Sequence, residues 1–174
     1  MGLLSLIKGL FSDPRMTADE KIPLRRWTRA AIAIITGGDD YGYFPKNRVA
    51  PLLEEMWDVT GADSAKNTIA VLQKGTSAWD LVRALHVARM SVGAEFIDAE
   101  TGWTLVAPIA QKLQSVYDTW DAVAADYFDS RTVWARETNL AMPTKEEFQD
   151  DIDVTKSVYW DEIDFKHDLT KTAF

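Results

Sequence analysis

The stretch SAWDLVRALHVARMSVGAEF, from Ser77 to Phe96, decides the fold. Its apolar residues fall on nearly every face of the helix that it would form, and a helix that is apolar all round is typical of a bundle centre. Ser77 with Asp80 three positions later is close to a capping box, which marks a helix start. We therefore expect a buried central helix over this stretch.

Helical spacing of apolar residues also precedes the central stretch. Three helices are predicted there, and glycines end them: Gly37-Gly38, Gly61 and Gly75. Asn47 is a plausible N-cap for the second helix, and Asp63 or Ser64 for the third. These segments would surround the central helix on its N-terminal side.

The chain after the central stretch begins with a longer periodic segment. Asp98 is expected to cap it, and a 3.6-residue period of apolar residues continues to about Phe128. Pro108 lies inside this segment, where proline removes a backbone donor and clashes with the preceding turn. We expect a kink or a junction of two helices at Pro108. Beyond Arg131 the pattern weakens.

The C-terminal part has fewer regular signals. A short helix is predicted from Lys145 to about Ile152, followed by irregular structure with one β-like piece at Ser157–Trp160. The prediction for residues 1–174 is therefore an all-α, single-domain helical bundle with a buried central helix and an irregular acidic C-terminal segment.

Residues 1–16 are predicted to form an amphipathic arm. Leu3, Leu6, Ile7 and Leu10 follow helical spacing, and we expect them to dock on the body of the protein. A weak contact with a membrane surface is the alternative, although Lys8 is the only basic side chain among residues 1–11. The stretch is too short to span a bilayer and lacks the features of a signal peptide.

Composition excludes several kinds of site. The chain has no cysteine, which excludes thiolate metal sites, disulfides and thiol catalysis, and its two histidines are His86 and His167. The common phosphate-binding, hydrolase and zinc-protease motifs do not occur. We therefore expect no cofactor and no metal, and a non-enzymatic protein is favoured over an enzyme.

Charge is distributed unevenly along the chain. The net charge is −8, but residues 1–90 carry +2 and residues 91–174 carry −10. A nucleic-acid partner is not expected, because phosphate binding needs clustered basic residues. An acidic surface favours solubility and attracts basic partners. The expected location is the cytoplasm.

The first candidate site is an acidic segment with interspersed aromatic residues. We predict that it forms a docking face for a basic protein, with acids supplying attraction and Trp160 supplying an aromatic anchor. An ordinary solvated surface is the alternative. The candidate binding residues are Asp150, Asp151, Asp153, Trp160, Asp161, Glu162 and Asp164.

The second candidate site is a polar stripe on the central helix, with one residue every three positions: Asp80, Arg83, His86 and Arg89. In one interpretation these groups are structural: Asp80 pairs with Arg83, and Arg89 takes a partner from Glu95, Glu100 or the acidic half. In the other they form a cationic pocket for an anionic small molecule, with His86 as proton carrier. The structural interpretation is favoured, because ion-pair networks are often only structural.

Seven tryptophans form a further notable group. Five of them stand at expected core positions, where large rings fill the space between helices. Trp134 and Trp160 lie outside the strongly periodic segments, and these two are candidates for a ligand cage or an interface.

The order of these residues resembles a known family. The run Ala78-Trp79-Asp80, Arg83, Ala88-Arg89, Gly93, Asp98 and Trp103 continues through Tyr117-Asp-Thr-Trp120, Tyr127 and Trp134. It is similar to the bacterial family called domain of unknown function 1266, over about residues 77–165. Thr119 stands where the family commonly has serine. The resemblance implies a mostly helical bacterial domain without an assigned activity, similar in size and setting to small cytosolic proteins found beside secreted toxins.

Together these observations favour a bacterial cytosolic interaction protein, such as an immunity-type protein that masks a toxin or another basic partner. A small-molecule binding protein or enzyme that uses the polar stripe remains the alternative.

Overall fold

The computed structural model describes residues 23–169. Over that range the chain forms seven α-helices, a 3₁₀ turn and a π-helical turn, with no strand, which confirms the all-α prediction. The predicted arm at residues 1–16 lies outside the described residues. The elements are α1 (Pro23–Thr36), the 3₁₀ turn (Tyr41–Tyr43), α2 (Lys46–Trp57), α3 (Ala62–Lys74), α4 (Ala78–Gly93), α5 (Ala99–Val116), α6 (Trp120–Thr138), α7 (Lys145–Thr155) and the π-helical turn (Lys156–Trp160).

The centre of the bundle is α4, as predicted. The Ser77 hydroxyl accepts a hydrogen bond from the Asp80 backbone N–H and so caps the helix at its start. Leu81, Val82 and Leu85 are completely buried. Helices α1, α2, α3, α5 and α6 and the 3₁₀ turn all pack on α4. These elements surround α4, and apolar residues on nearly all of its faces are therefore buried.

Helices α2 and α3 begin before the residues that were expected to cap them. Pro45 takes the N-cap position of α2 in place of Asn47, and Gly61 takes that of α3 in place of Asp63 or Ser64. The Ser64 hydroxyl accepts a hydrogen bond from the Gly61 N–H. Ser64, which was expected to precede α3, therefore caps it from within its first turn. Such boundary shifts leave the buried faces unchanged.

No junction of two helices lies at Pro108, so that one of the two predicted alternatives is wrong. Helix α5 continues through Pro108, and the chain breaks at residues 117–119, where the Thr119 hydroxyl caps α6 by accepting from Ala122 N–H. Pro108 and Thr104, whose carbonyl loses its helical donor, both lie on the exposed face, where water can solvate that carbonyl. Helix α6 also continues past Arg131, where the pattern weakened, to Thr138.

The C-terminal segment is more regular than predicted. Helix α7 extends to Thr155, with a capping box between Thr144 and Glu147, and runs directly into the π-helical turn. The expected β-like piece at Ser157–Trp160 is therefore wrong. The local sequence is rich in β-formers, but packing of one face against α1 and α6 overrides that preference.

Three indole groups fasten this segment to the rest of the fold. Trp27 Nε1 donates to the Phe165 carbonyl at 2.8 Å, and Trp120 Nε1 donates to the Ile163 carbonyl at 2.8 Å. In the opposite direction, Trp160 Nε1 donates to the Ala30 carbonyl at 3.0 Å. Buried indole N–H groups thus find acceptors across more than 40 positions of sequence.

Among residues 23–169, none of the helices combines the length and the apolar character that crossing a bilayer requires.

Candidate functional site

The acidic face comprises six of the exposed carboxylates on α7 and in the segment that follows it. Phe148, Ile152 and Phe165 from the same segment are buried in the core. The six acids are Asp150, Asp151, Asp153, Asp161, Glu162 and Asp164. The segment is therefore amphipathic, with its apolar side buried and its charge facing solvent.

Nearby basic residues form their ion pairs with other carboxylates, not with the acidic face. Lys156 pairs with Asp121 of α6 at 2.6 Å, and Lys166 pairs with Asp118 at 2.9 Å. Within residues 23–169, no basic side chain lies at ion-pair distance from any of the six acids. The pKa of Lys156 is raised, first by its hydrogen bond to Asp121 and then by surrounding carboxylates.

Trp160 does not belong to the exposed part of this face. Only 6% of its surface is accessible, and its ring stacks on Trp120 with centroids 5.5 Å apart. Trp160 is therefore buried in the core, whereas an aromatic anchor on the docking face would be exposed. Val154, by contrast, is 55% exposed and follows Asp150 and Asp151 by four and three positions, so these three share one side of α7.

A groove lies between α6 and α7. Its volume is about 320 Å³, and its lining includes the apolar side chains of Phe128, Phe148 and Ile152. The polar groups around it come from Asp121, Asp129, Lys145, Gln149 and Lys156. The groove lining includes none of the six acids of the acidic face.

The polar stripe on α4 divides into a sealed part and an open part. In the sealed part, Arg89 Nε donates to Asp40 Oδ1 at 2.9 Å and to Oδ2 at 3.1 Å. Arg89 is 1% exposed and Asp40 3% exposed. The predicted partners Glu95, Glu100 and the acidic half were therefore wrong; the carboxylate comes from the loop before the 3₁₀ turn.

His86 lies in the sealed part beside this ion pair. It is 5% exposed, and its ring meets Tyr41 edge-on at 5.2 Å. Burial lowers the pKa of His86 from 6.5 to about 4, against the opposing attraction of Asp40. The imidazole is thus neutral at pH 7 and shielded from solvent, which does not suit a proton carrier.

Asp80 and Arg83 do not form the local ion pair that their spacing predicted. The Asp80 carboxylate accepts a hydrogen bond from the Ser77 hydroxyl at 2.9 Å and lies outside ion-pair distance of Arg83. Burial lowers the pKa of Arg83, and the attraction of Asp80 opposes this shift without cancelling it. Arg83 therefore remains a cation without a paired anion.

Aromatic rings surround Arg83 instead. Its guanidinium carbon lies 4.4 Å from the Trp79 ring centroid, 5.0 Å from that of Trp57 and 6.0 Å from that of Trp134. Arg131 of α6 lies 5.6 Å from the same Trp79 ring. We call these five residues the Arg83 cluster.

Sequence reasoning found only part of the Arg83 cluster. It singled out Arg83 and suggested Trp134 as a cage residue, but it assigned Trp57 and Trp79 to the core and did not consider Arg131. The three-residue spacing of Arg131 and Trp134 on α6 was an available signal, because residues at that spacing share a helix face.

Metal ligation finds no support among the described residues, since no group of three or more histidine or carboxylate side chains comes together there.

Neither the curated proteins nor the solved structures contain a significant match to this chain. A family model does match, over residues 70–171, which is more than half of the chain. The match includes α4 to α7, and with them the acidic face, the polar stripe and all of the Arg83 cluster except Trp57. The chain therefore belongs to the family described as protein of unknown function (DUF1266).

Proposed function

We propose that this chain is a non-enzymatic cytoplasmic protein that binds and masks a basic partner protein through its acidic face, in the manner of an immunity protein bound to a toxin. The observation that carries the proposal is that six carboxylates are exposed on one segment with no basic side chain of residues 23–169 paired to them. A partner with a basic surface would supply the missing cations.

The firm attachment of the acidic segment to the rest of the fold supports this role. Its apolar side is buried, and indole hydrogen bonds hold the segment at residues 160, 163 and 165. A surface that is ordered before binding loses little conformational entropy when a partner docks. Complementary charge also accelerates encounter, which suits a protein that must capture a harmful partner quickly.

Val154 supplies an apolar part of the contact. Acids at the rim give rate and selectivity, whereas affinity comes mainly from desolvated apolar groups at the centre. Val154 is 55% exposed on the side of α7 that carries Asp150 and Asp151. An exposed apolar side chain with charged neighbours suits a protein interface.

The test begins with capture of the partner from the native host by the full chain, followed by its identification by mass spectrometry. The purified partner is then titrated by calorimetry against a variant with Asp150, Asp151 and Asp153 changed to lysine. We expect the Kd to rise at least about tenfold at low salt, and by less at high salt, because screening weakens exposed charges.

The matched control carries the same change of charge elsewhere, with Glu54, Glu55 and Glu137 changed to lysine; these three are exposed on α2 and α6. It should keep the Kd within about threefold of the wild type, since distant rim charges act weakly. Equal losses in the two variants would assign the effect to net charge and refute the acidic face as the binding surface. Unchanged binding in the first variant would refute it as well.

A further inference from the structure

We infer that the Arg83 cluster is a binding site for an oxyanion, a carboxylate or phosphate group of a small molecule, held by the guanidinium groups of Arg83 and Arg131. The inference is independent of the acidic face, because it concerns a different surface with the opposite charge.

The first argument is the charge of the cluster. Arg83 and Arg131 both lie within 6 Å of the ring of Trp79, at 4.4 Å and 5.6 Å from its centroid. In the described part of the chain neither has a carboxylate at ion-pair distance. Arg89, six positions further along α4, shows the alternative arrangement, because Asp40 neutralises it. Aromatic faces attract a guanidinium, but they do not supply the oxygen acceptors that its planar fork fits.

The second argument is the hydrogen-bond donors. Seven buried side-chain nitrogens and oxygens of residues 23–169 have no hydrogen-bond partner, and four of them belong to this one cluster. These four are Nε of Arg83, Nε of Arg131, Nε1 of Trp57 and Nε1 of Trp79. All four are donors that cannot accept, so no rearrangement among them can satisfy any of them. What the cluster lacks is an acceptor.

The third argument is access. Arg83, Arg131 and the three tryptophans are half-buried, and only the Nε atom of each arginine is enclosed. The terminal Nη atoms of both arginines are not among the buried atoms without a partner, so they keep contact with solvent. An oxyanion can reach them from solvent, and a planar guanidinium binds carboxylate or phosphate through two parallel hydrogen bonds.

The acidic neighbours of the cluster are already engaged. Asp80 accepts from Ser77, and Asp126 accepts from the Ala78 N–H and the Tyr117 hydroxyl, both at 2.6 Å. Burial lowers the pKa of Arg83, and the attraction of Asp80 and Tyr127 opposes this shift. A bound oxyanion would provide the compensation that these carboxylates do not.

The test is a titration of the full chain, followed in ¹H–¹⁵N spectra of the indole and arginine Nε–H groups. Sodium phosphate and sodium acetate are added separately at constant ionic strength, with sodium chloride as the reference. We expect saturable shifts for Trp57, Trp79, Arg83 and Arg131. The indoles of Trp27, Trp120 and Trp160 donate to backbone carbonyls and serve as internal controls that should not move.

The two added salts distinguish the sources of the oxyanion. A response to phosphate alone identifies a phosphate site, and a response to acetate alone identifies a carboxylate site. A response to both supports a general oxyanion site. No saturable response to either salt, or equal shifts in all seven indoles, would overturn the inference.

Two variants test the arginine fork. Arg83→Lys and Arg131→Lys keep the charge but lose the planar pair of donors, so we expect each to raise the Kd of the responding salt about tenfold. Arg136→Lys, an exposed position further along α6, should leave that Kd unchanged. Unchanged binding in all three variants would mean that charge alone is responsible, and equal weakening in all three would mean that the effect is not local to the cluster; either result would refute the site. The acidic-face variant should bind the salt as the wild type does, which separates failure here from failure of the proposed function.

Discussion

Arg89 and Asp40, 49 positions apart in sequence, form a buried ion pair in which Arg89 Nε contacts both carboxylate oxygens. The Trp103 ring lies 4.1 Å from the guanidinium carbon, and the Asp40 carboxylate also accepts from the Gly42 N–H at 2.9 Å. The pair therefore fixes the loop with the 3₁₀ turn against the central helix α4.

Removing the charge of Asp40 should be costly. Asp40→Asn keeps an oxygen that can accept from Gly42 but leaves Arg89 as an unpaired buried cation. We expect the free energy of unfolding to fall by about 3–5 kcal/mol. Urea denaturation measures this change, and Asp129→Asn, at an exposed position of α6, is the control, expected to stay within about 0.5 kcal/mol. A loss below 1 kcal/mol for Asp40→Asn would contradict our account of the pair.

His86 should make stability depend on pH. Its pKa is about 4 in the fold, where burial opposes the charged form, and 6.5 ordinarily. Between these values the unfolded chain binds the extra proton, so the free energy of unfolding is highest above pH 6.5 and falls as the pH drops towards 4. The contribution of His86 between pH 7 and 4.5 is about 2–3 kcal/mol.

The measurement compares urea denaturation at pH 7 and pH 4.5 in the wild type and in His86→Phe, which keeps a ring but cannot titrate. The variant should lose less stability than the wild type by that amount. His167→Gln, at an exposed histidine, should behave as the wild type. The same pH dependence in all three proteins would show that other groups cause it.

Gly93 permits the loop to approach α4. A Cβ atom at this position would overlap the carbonyl oxygen of Tyr41, and backbone cannot rotate away as a side chain can. We expect Gly93→Ala to lower the free energy of unfolding by about 1–3 kcal/mol. Gly61→Ala, where a Cβ would meet open space, should cost less than about 1 kcal/mol through its N-cap position. Thermal or urea unfolding of both variants checks the contrast, and equal losses would be inconsistent with a steric cause.

The hydroxyl of Tyr117 should contribute more to stability than that of Tyr159. Tyr117 donates to the Asp126 carboxylate at 2.6 Å, whereas Tyr159 lies 3.4 Å from the Gly37 carbonyl. Burial, followed by this hydrogen bond, raises the pKa of Tyr117. We expect Tyr117→Phe to lower the free energy of unfolding by about 1.5–3 kcal/mol, as for hydrogen bonds to charged groups. Tyr159→Phe should cost less than about 1 kcal/mol, and the reverse order in urea unfolding would exclude this explanation.

Patterns confined to one helix were predictable from the sequence. The all-round apolar character of residues 77–96 located the central helix, and the hydroxyl of Ser77 located its first turn. The exposed acids Asp150, Asp151 and Asp153 of α7 also followed from the local sequence. In each case the residues that decide the structure lie within a few positions of one another.

Contacts between distant segments were not predictable in the same way. The sequence showed that Arg89 needs a partner, but Asp40 becomes that partner only because Gly42 and Gly93 allow close approach of the loop. The Arg83 cluster likewise joins α2, α4 and α6, and no periodicity within one helix reports such a meeting. The sequence also did not show that Pro108 lies on the exposed side of α5, where a carbonyl that lacks its backbone N–H donor can be solvated.

The indole hydrogen bonds between the first described helix and residues 160–165 constrain folding during synthesis. The ribosome delivers Trp27 and Ala30 long before Trp160 and Phe165 exist, so in the nascent chain these early groups lack the acceptor and donor that they meet in the finished fold. Translation must therefore pass residue 165 before the native core can close. In a chain halted near residue 155, Trp27 would lack the Phe165 carbonyl and would stay accessible to chaperones and proteases.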